Sequence, residues 1–206
     1  MRPSNIPLPS NEYLLDEAYE RTIESYLAAG SPKGGQSWNA ICDITNRMGN
    51  LLIKEGLASA RMLNLPPAFN GKYHTNAQAW STLAPPRRQY AFAIALINAA
   101  DGEGLGQSSG DNPDWLEPGV DAFKAIAPEP IATELADYYE YMSRYMIAMQ
   151  QRDDWPPRGS VPGADRLKPG LEDRRRKTDW TTLLLQHIMR NKPWFFRHHA
   201  REASGT

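Results

Sequence analysis

Between Lys177 and Arg201 the chain sets cations beside aromatic rings. Arg190, Lys192, Arg197 and Arg201 interleave with Trp194, Phe195 and Phe196. Cations neutralise phosphates and flat rings stack on bases, so this mixture suits a grip on a nucleic-acid backbone. The structural alternative is an ordinary last helix with a basic tail. Arg87-Arg88 follow Pro85-Pro86 at the start of an apolar stretch. A cation in the first turn of a helix opposes the helix dipole, and an anion such as a phosphate would relieve it. A third group, Arg174-Arg175-Arg176-Lys177, precedes the last helix. Charges of this kind give sequence-independent, salt-sensitive binding of nucleic acid.

Other chemistry is poorly represented. The acidic run from Asp101 to Asp114 offers Asp101 and Glu103 where a calcium loop needs its first two oxygens, but Leu105 takes the third place and Asn112 the closing glutamate's. Its glycines 104, 106 and 110 lack the dinucleotide spacing. The histidines are His74, His187, His198 and His199, in no paired-ligand spacing. His187 reads as a core or boundary residue, and His198 and His199 as weak cationic character in the tail. Cys42, between Ile41 and Ile44, reads as a small buried side chain, and a single cysteine fits a reducing compartment. No nucleophile-base pairing stands out. The expectation is a non-catalytic protein with no catalytic residues, no metal ligands and no cofactor.

The elements that must position the cations are helical. Leu15, Tyr19, Ile23 and Tyr26 recur at helical spacing between Asn11 and Ala29, and Gly30 stops the run. A second segment, Ser37 to Leu63, carries Ile41, Ile44, Met48 and Leu52 on one side, with Gly49 and Gly56 weak enough to divide it. A third opens at Pro85-Pro86 and is apolar nearly all round from Tyr90 to Ile97, which predicts a central helix. From Pro128 to Gln151, Ile131, Leu135, Tyr138, Met142, Tyr145 and Met149 form one stripe; Tyr139 and Tyr141 fall off it and are expected to point elsewhere. The last helix has Thr178 or Asp179 as N-cap, with Trp180, Leu183, Leu184 and Ile188 inward. Alternating strand patterns are lacking.

The fold expected is therefore all-α, a helical bundle of two small lobes joined by a Gly/Ser/Asp-rich loop at 101–118. Residues 1–35 read as an N-terminal helical extension, 36–115 as an N-terminal lobe, and 116–206 as a C-terminal lobe with a basic tail. Residues 152–176, rich in Pro, Gly and Arg, read as a second long linker. The formal net charge of −1 hides an asymmetry: residues 1–151 hold 11 Lys/Arg against 17 Asp/Glu, and residues 152–201 hold 12 against 6. A bulk polycation is excluded, so any polyanion must meet a local patch. The longest apolar run, Tyr90 to Ala100, contains Asn98 and is too short to span a bilayer. A cytoplasmic protein with no membrane contact is the expectation.

Taken in order, several segments resemble the small subunit of the type I-E CRISPR surveillance complex, Cascade. They are Ala58-Ser-Ala-Arg-Met-Leu-Asn-Leu-Pro-Pro-Ala-Phe69; Pro86-Arg-Arg-Gln-Tyr-Ala-Phe-Ala-Ile-Ala-Leu-Ile97; Leu105-Gly106; Phe123-Lys-Ala-Ile126; and Asp179-Trp-Thr-Thr-Leu-Leu184, followed by a basic tail. The resemblance spans roughly Leu57 to Glu202. Residues 1–35, the length of the 152–177 linker, and a single Arg61 where the family often has paired arginines mark a divergent member. The resemblance implies an all-helical, non-catalytic subunit that pairs with a second copy of itself among other Cascade subunits. It implies contact with guide RNA and target DNA backbone and retention of the displaced strand of the R-loop. Arg61 and Arg87 are similar in place to the family's arginines, and Lys192, Arg197 and Arg201 lie in its basic region; Arg88 and Arg190 are added from charge alone. Two other classes stand beside this reading: a helical adaptor or inhibitor using an acidic face, and a metal-dependent enzyme using the 101–114 loop.

Overall fold

The computed structural model describes residues 9–62, 80–111, 113–151 and 157–204, without the side chains of 60–62, 113, 150, 158 and 204. It is 81% helical with eight α-helices and no strands among the described residues, an all-α bundle. The helices are α1 (Glu17–Ala28), α2 (Gly35–Met62), α3 (Pro85–Asp111), α4 (Leu116–Ile126), α5 (Ile131–Gln150), α6 (Leu171–Lys177), α7 (Trp180–Arg190) and α8 (Arg197–Ser204).

The chain forms two compact units, and they do not follow the division at 115/116 that chain order suggests. One contains residues 1–91 and 184–206, the other residues 92–183. The C-terminal 23 residues belong with the N-terminal helices because Leu15 and Phe196, both wholly buried, join them. The Leu15 N–H donates to the Phe195 carbonyl at 2.8 Å, and the Arg197 N–H donates to the Leu15 carbonyl at 3.0 Å.

In the first unit α1 and α2 pack through Ile23, Tyr26, Ile41, Ile44, Met48 and Leu52, all buried. Gly49 and Gly56 leave α2 undivided. Gly30, with φ 78°, closes α1. The start of α3 contributes Tyr90, and the end of α7 contributes Leu184, Leu185 and Ile188.

In the second unit α4 and α5 pack closely. Gly119 lets α4 approach α3: a Cβ there would stand 2.4 Å from Leu96 Cδ1. Phe123 stacks on Tyr139 with centroids 5.5 Å apart, and Trp180 meets the Phe123 edge at 5.5 Å. Tyr139 and Tyr141 are buried, contrary to their expected outward direction. A second small core explains Tyr141: it lies with Tyr145 and Val161, and Met142, Met149, Ala164 and Leu167 pack against them. The segment after α5 thus covers a further face of that helix.

The described part of the loop expected at 101–118 is helical. Residues 101–111 continue α3 across a kink at Gly104, whose φ of 80° and ψ of 161° are essentially confined to glycine. Beyond it Leu105, Ser108 and Ser109 are buried, and both hydroxyls donate to the Leu105 carbonyl, at 3.2 and 2.7 Å. A short 3₁₀ turn, Pro113–Trp115, leads into α4. The described part of the 152–176 linker holds two 3₁₀ turns, Arg158–Ser160 and Ala164–Arg166, and most of α6.

Candidate nucleic-acid interface

The cations singled out in the sequence divide into those that hold the fold and those that face solvent. Arg87 belongs wholly to the first group. Its side chain is 0% exposed. Nε donates to Glu55 Oε2 at 2.7 Å, Nη1 to the Trp194 carbonyl at 2.8 Å and Nη2 to the Tyr13 carbonyl at 2.9 Å. The guanidinium also lies 5.7 Å from the Phe195 ring centre. The anion that the first turn of α3 called for is therefore Glu55, and each guanidinium nitrogen of this unexposed side chain already has a protein acceptor. Burial lowers the Arg87 pKa from its usual value and raises that of Glu55, against the attraction between them.

Lys192 and Arg197 are half-buried and tie the C-terminus to α1. Lys192 Nζ lies 2.5 Å from Glu20 Oε1 and 2.9 Å from Glu24 Oε1. Arg197 pairs with Asp16 at 2.9 Å and donates from Nε to the Asn11 carbonyl at 2.8 Å. The hydrogen bond that Lys192 donates to Glu20, then that to Glu24, holds its ammonium above the usual pKa.

The upstream basic cluster is likewise engaged. Arg175 is 1% exposed on its side chain and binds Asp101 at 2.6 Å, Glu172 at 2.9 Å and the Ala100 carbonyl at 3.2 Å. Arg174 pairs with Glu134 and Arg176 with Glu172. Lys177 has no ion pair among the described residues.

Among the described residues, Arg190 and Arg201 are the exposed members of the expected set. Arg190 ends α7 and makes one hydrogen bond, to the Gln186 carbonyl at 3.3 Å. Arg201 stands in the last turn of α8. Neither forms an ion pair among the described residues. Arg88 is half-buried and donates to the Ser81 carbonyl at 3.4 Å. The side chain of Arg61 and the Pro-Ala-Phe motif lie outside the described residues.

The aromatics beside these cations are structural. Phe195 and Phe196 are 0% exposed, so neither ring is a platform for a base. Phe195 meets Tyr90 at 6.0 Å and His187 at 6.1 Å. Trp194 is partly exposed, but its carbonyl is held by Arg87. Asp179 caps α7: its Oδ1 accepts from the Thr182 N–H at 3.3 Å and its Oδ2 from the Thr182 hydroxyl at 2.8 Å. His187 is buried, with Nε2 2.8 Å from the Pro86 carbonyl.

One constellation escapes the sequence altogether. Glu20 of α1 receives both histidines of α8: His198 Nε2 lies 2.6 Å from Oε2, and His199 Nε2 lies 3.0 Å from Oε1. Burial raises the Glu20 pKa, but the hydrogen bonds and charges of Lys192 and His199 outweigh it and leave the carboxyl below its usual value. A separation of 178 positions between Glu20 and His198 hides this grouping from any spacing rule; adjacent histidines beside an aromatic were the sole local trace. Searches against family models, curated proteins and solved structures find no match for this chain.

Proposed function

We propose that the chain is a non-catalytic helical subunit of a CRISPR RNA-guided surveillance complex. It contacts nucleic-acid backbone without sequence preference and helps retain the displaced strand of the R-loop. Its partners are a second copy of itself, other Cascade subunits, guide RNA and target DNA. The order of its motifs supports the family reading, and the all-helical fold agrees with it. The observation that carries the contact surface is the pair Arg190 and Arg201, exposed cations without an ion pair among the described residues. In a nearly balanced strand exchange, a few backbone contacts suffice to shift the outcome. Purification of the tagged full chain from its own cells, with sequencing of bound nucleic acid, tests the assembly. Short RNAs sharing a repeat are expected; protein partners with no RNA would overturn the reading.

A second reading, a helical adaptor with an acidic docking face, draws on one observation. Arg87, Lys192 and Arg197 are already satisfied by acids of the same unit, which shrinks the cationic surface. Failure of the native chain to bind single-stranded DNA at low salt, together with saturable capture of a basic protein, favours that reading.

A further inference from the structure

Glu20, His198 and His199 meet in a way that simple charge pairing leaves unexplained. Successive residues of an α-helix diverge by about 100° around its axis. Yet the two rings lie with centroids 4.2 Å apart, tilted by 40°, and both Nε2 atoms converge on one carboxylate. The buried Phe196 ring backs both, at 6.1 and 6.4 Å. One ligand atom from each of the three residues lies within 4.8 Å of the others. The imidazoles are 32% and 26% exposed, so the mouth of the cluster is open, while the carboxylate beneath is 7% exposed.

We propose that Glu20, His198 and His199 form a binding site for one divalent transition-metal ion, zinc being the best match to two imidazoles and a carboxylate. Zinc bonds to such atoms are about 2.0–2.2 Å long, which sets tetrahedral ligand atoms about 3.4 Å apart. The contacts of 2.6 and 3.0 Å therefore open by about 0.8 and 0.4 Å to admit the ion. Binding through Nε2 leaves the proton of each neutral imidazole on Nδ1. His199 Nδ1 lies 3.5 Å from Glu202 Oε2, which puts a carboxylate within reach of that proton, whereas His198 Nδ1 is buried with no hydrogen-bond partner among the described residues. This carboxylate–histidine–metal order fixes the tautomer and strengthens the ligand. Lys192 is the competing cation, and it has a second anion in Glu24 to which it can withdraw. Three protein ligands leave a fourth position for solvent or an exogenous group.

Titration of the tag-free, chelator-stripped full chain with cobalt(II), followed by its visible ligand-field bands and then by zinc competition, tests the site. The expected result is saturation at one equivalent, with zinc displacing cobalt and raising the melting temperature. Glu20→Gln and the double variant His198→Ala/His199→Ala, confirmed as helical by circular dichroism, should each weaken binding at least tenfold. Glu202→Gln should weaken it about 10–100-fold, and Lys192→Met should tighten it. The absence of saturable bands in the native chain would overturn the proposal and leave the cluster as a charge network. Equal affinity in the histidine variants would overturn it too.

Discussion

A single arginine shows how a surface reading becomes a core one. Arg87 was marked by its awkward place in the first turn of a helix, and its need for an anion was legible. That the anion is Glu55 was not, because the contact joins positions 32 residues apart. Replacing Arg87 by Met strands the partly buried Glu55 carboxylate and frees two backbone carbonyls. Urea denaturation should show a loss of about 3–5 kcal/mol, with a part recovered in Arg87→Met/Glu55→Leu. A loss under about 1 kcal/mol would show that the pair does not hold the fold. His187 gives a second residue-scale expectation. Burial first, and then the charge of Arg190, lower its pKa against the pull of the Pro86 carbonyl. The neutral ring is thus the form that the fold holds, while the unfolded chain protonates near the ordinary value of about 6.5. Its contribution is complete above that pH and declines as pH falls toward the lower folded value. Stability measured from pH 7 to 5 should fall less steeply in His187→Gln than in the native chain.

Helices were legible wherever one apolar stripe faces one neighbour. α1 and α2 follow their predicted stripes, the start of α3 is buried nearly all round as its apolar run predicts, and Asp179 caps α7. Asp179→Ala should cost about 1 kcal/mol by denaturant melt. The sequence misled where burial has more than one direction. Tyr141 falls off the stripe read for α5, but Val161 and its neighbours bury it together with the stripe's own Met142, Tyr145 and Met149. Gly and Ser between 101 and 111 suggested a loop, although small buried residues pack well in a helix that a single glycine kinks. Gly119 carries a packing role that composition cannot show. Gly119→Ala forces a methyl against Leu96 and should cost about 1–3 kcal/mol, read as a lower urea midpoint with unchanged m.

At the scale of the molecule, the charge asymmetry of the sequence proves to be largely an internal matter. The basic C-terminal region meets the acidic remainder within each unit: Lys192 and Arg197 with Glu20, Glu24 and Asp16, and Arg166 and Arg174 with Asp137 and Glu134. A cation count along the chain cannot separate charges that pair on folding from charges that remain for a ligand. Among the described residues, Arg190 and Arg201 are the exposed cations of the expected set that form no ion pair, and the proposed nucleic-acid contact depends on them. The most direct measurement compares Arg190→Ala/Arg201→Ala with Lys192→Met/Arg197→Met, recording melting temperature and the salt dependence of single-stranded DNA binding. The first pair should keep the melting temperature and reduce the slope of log K against log salt by about 1.4. The second should lower the melting temperature by roughly 2–6 °C and leave the slope nearly unchanged. An unchanged slope in the first pair, or no salt-dependent binding by the native chain, would contradict the account.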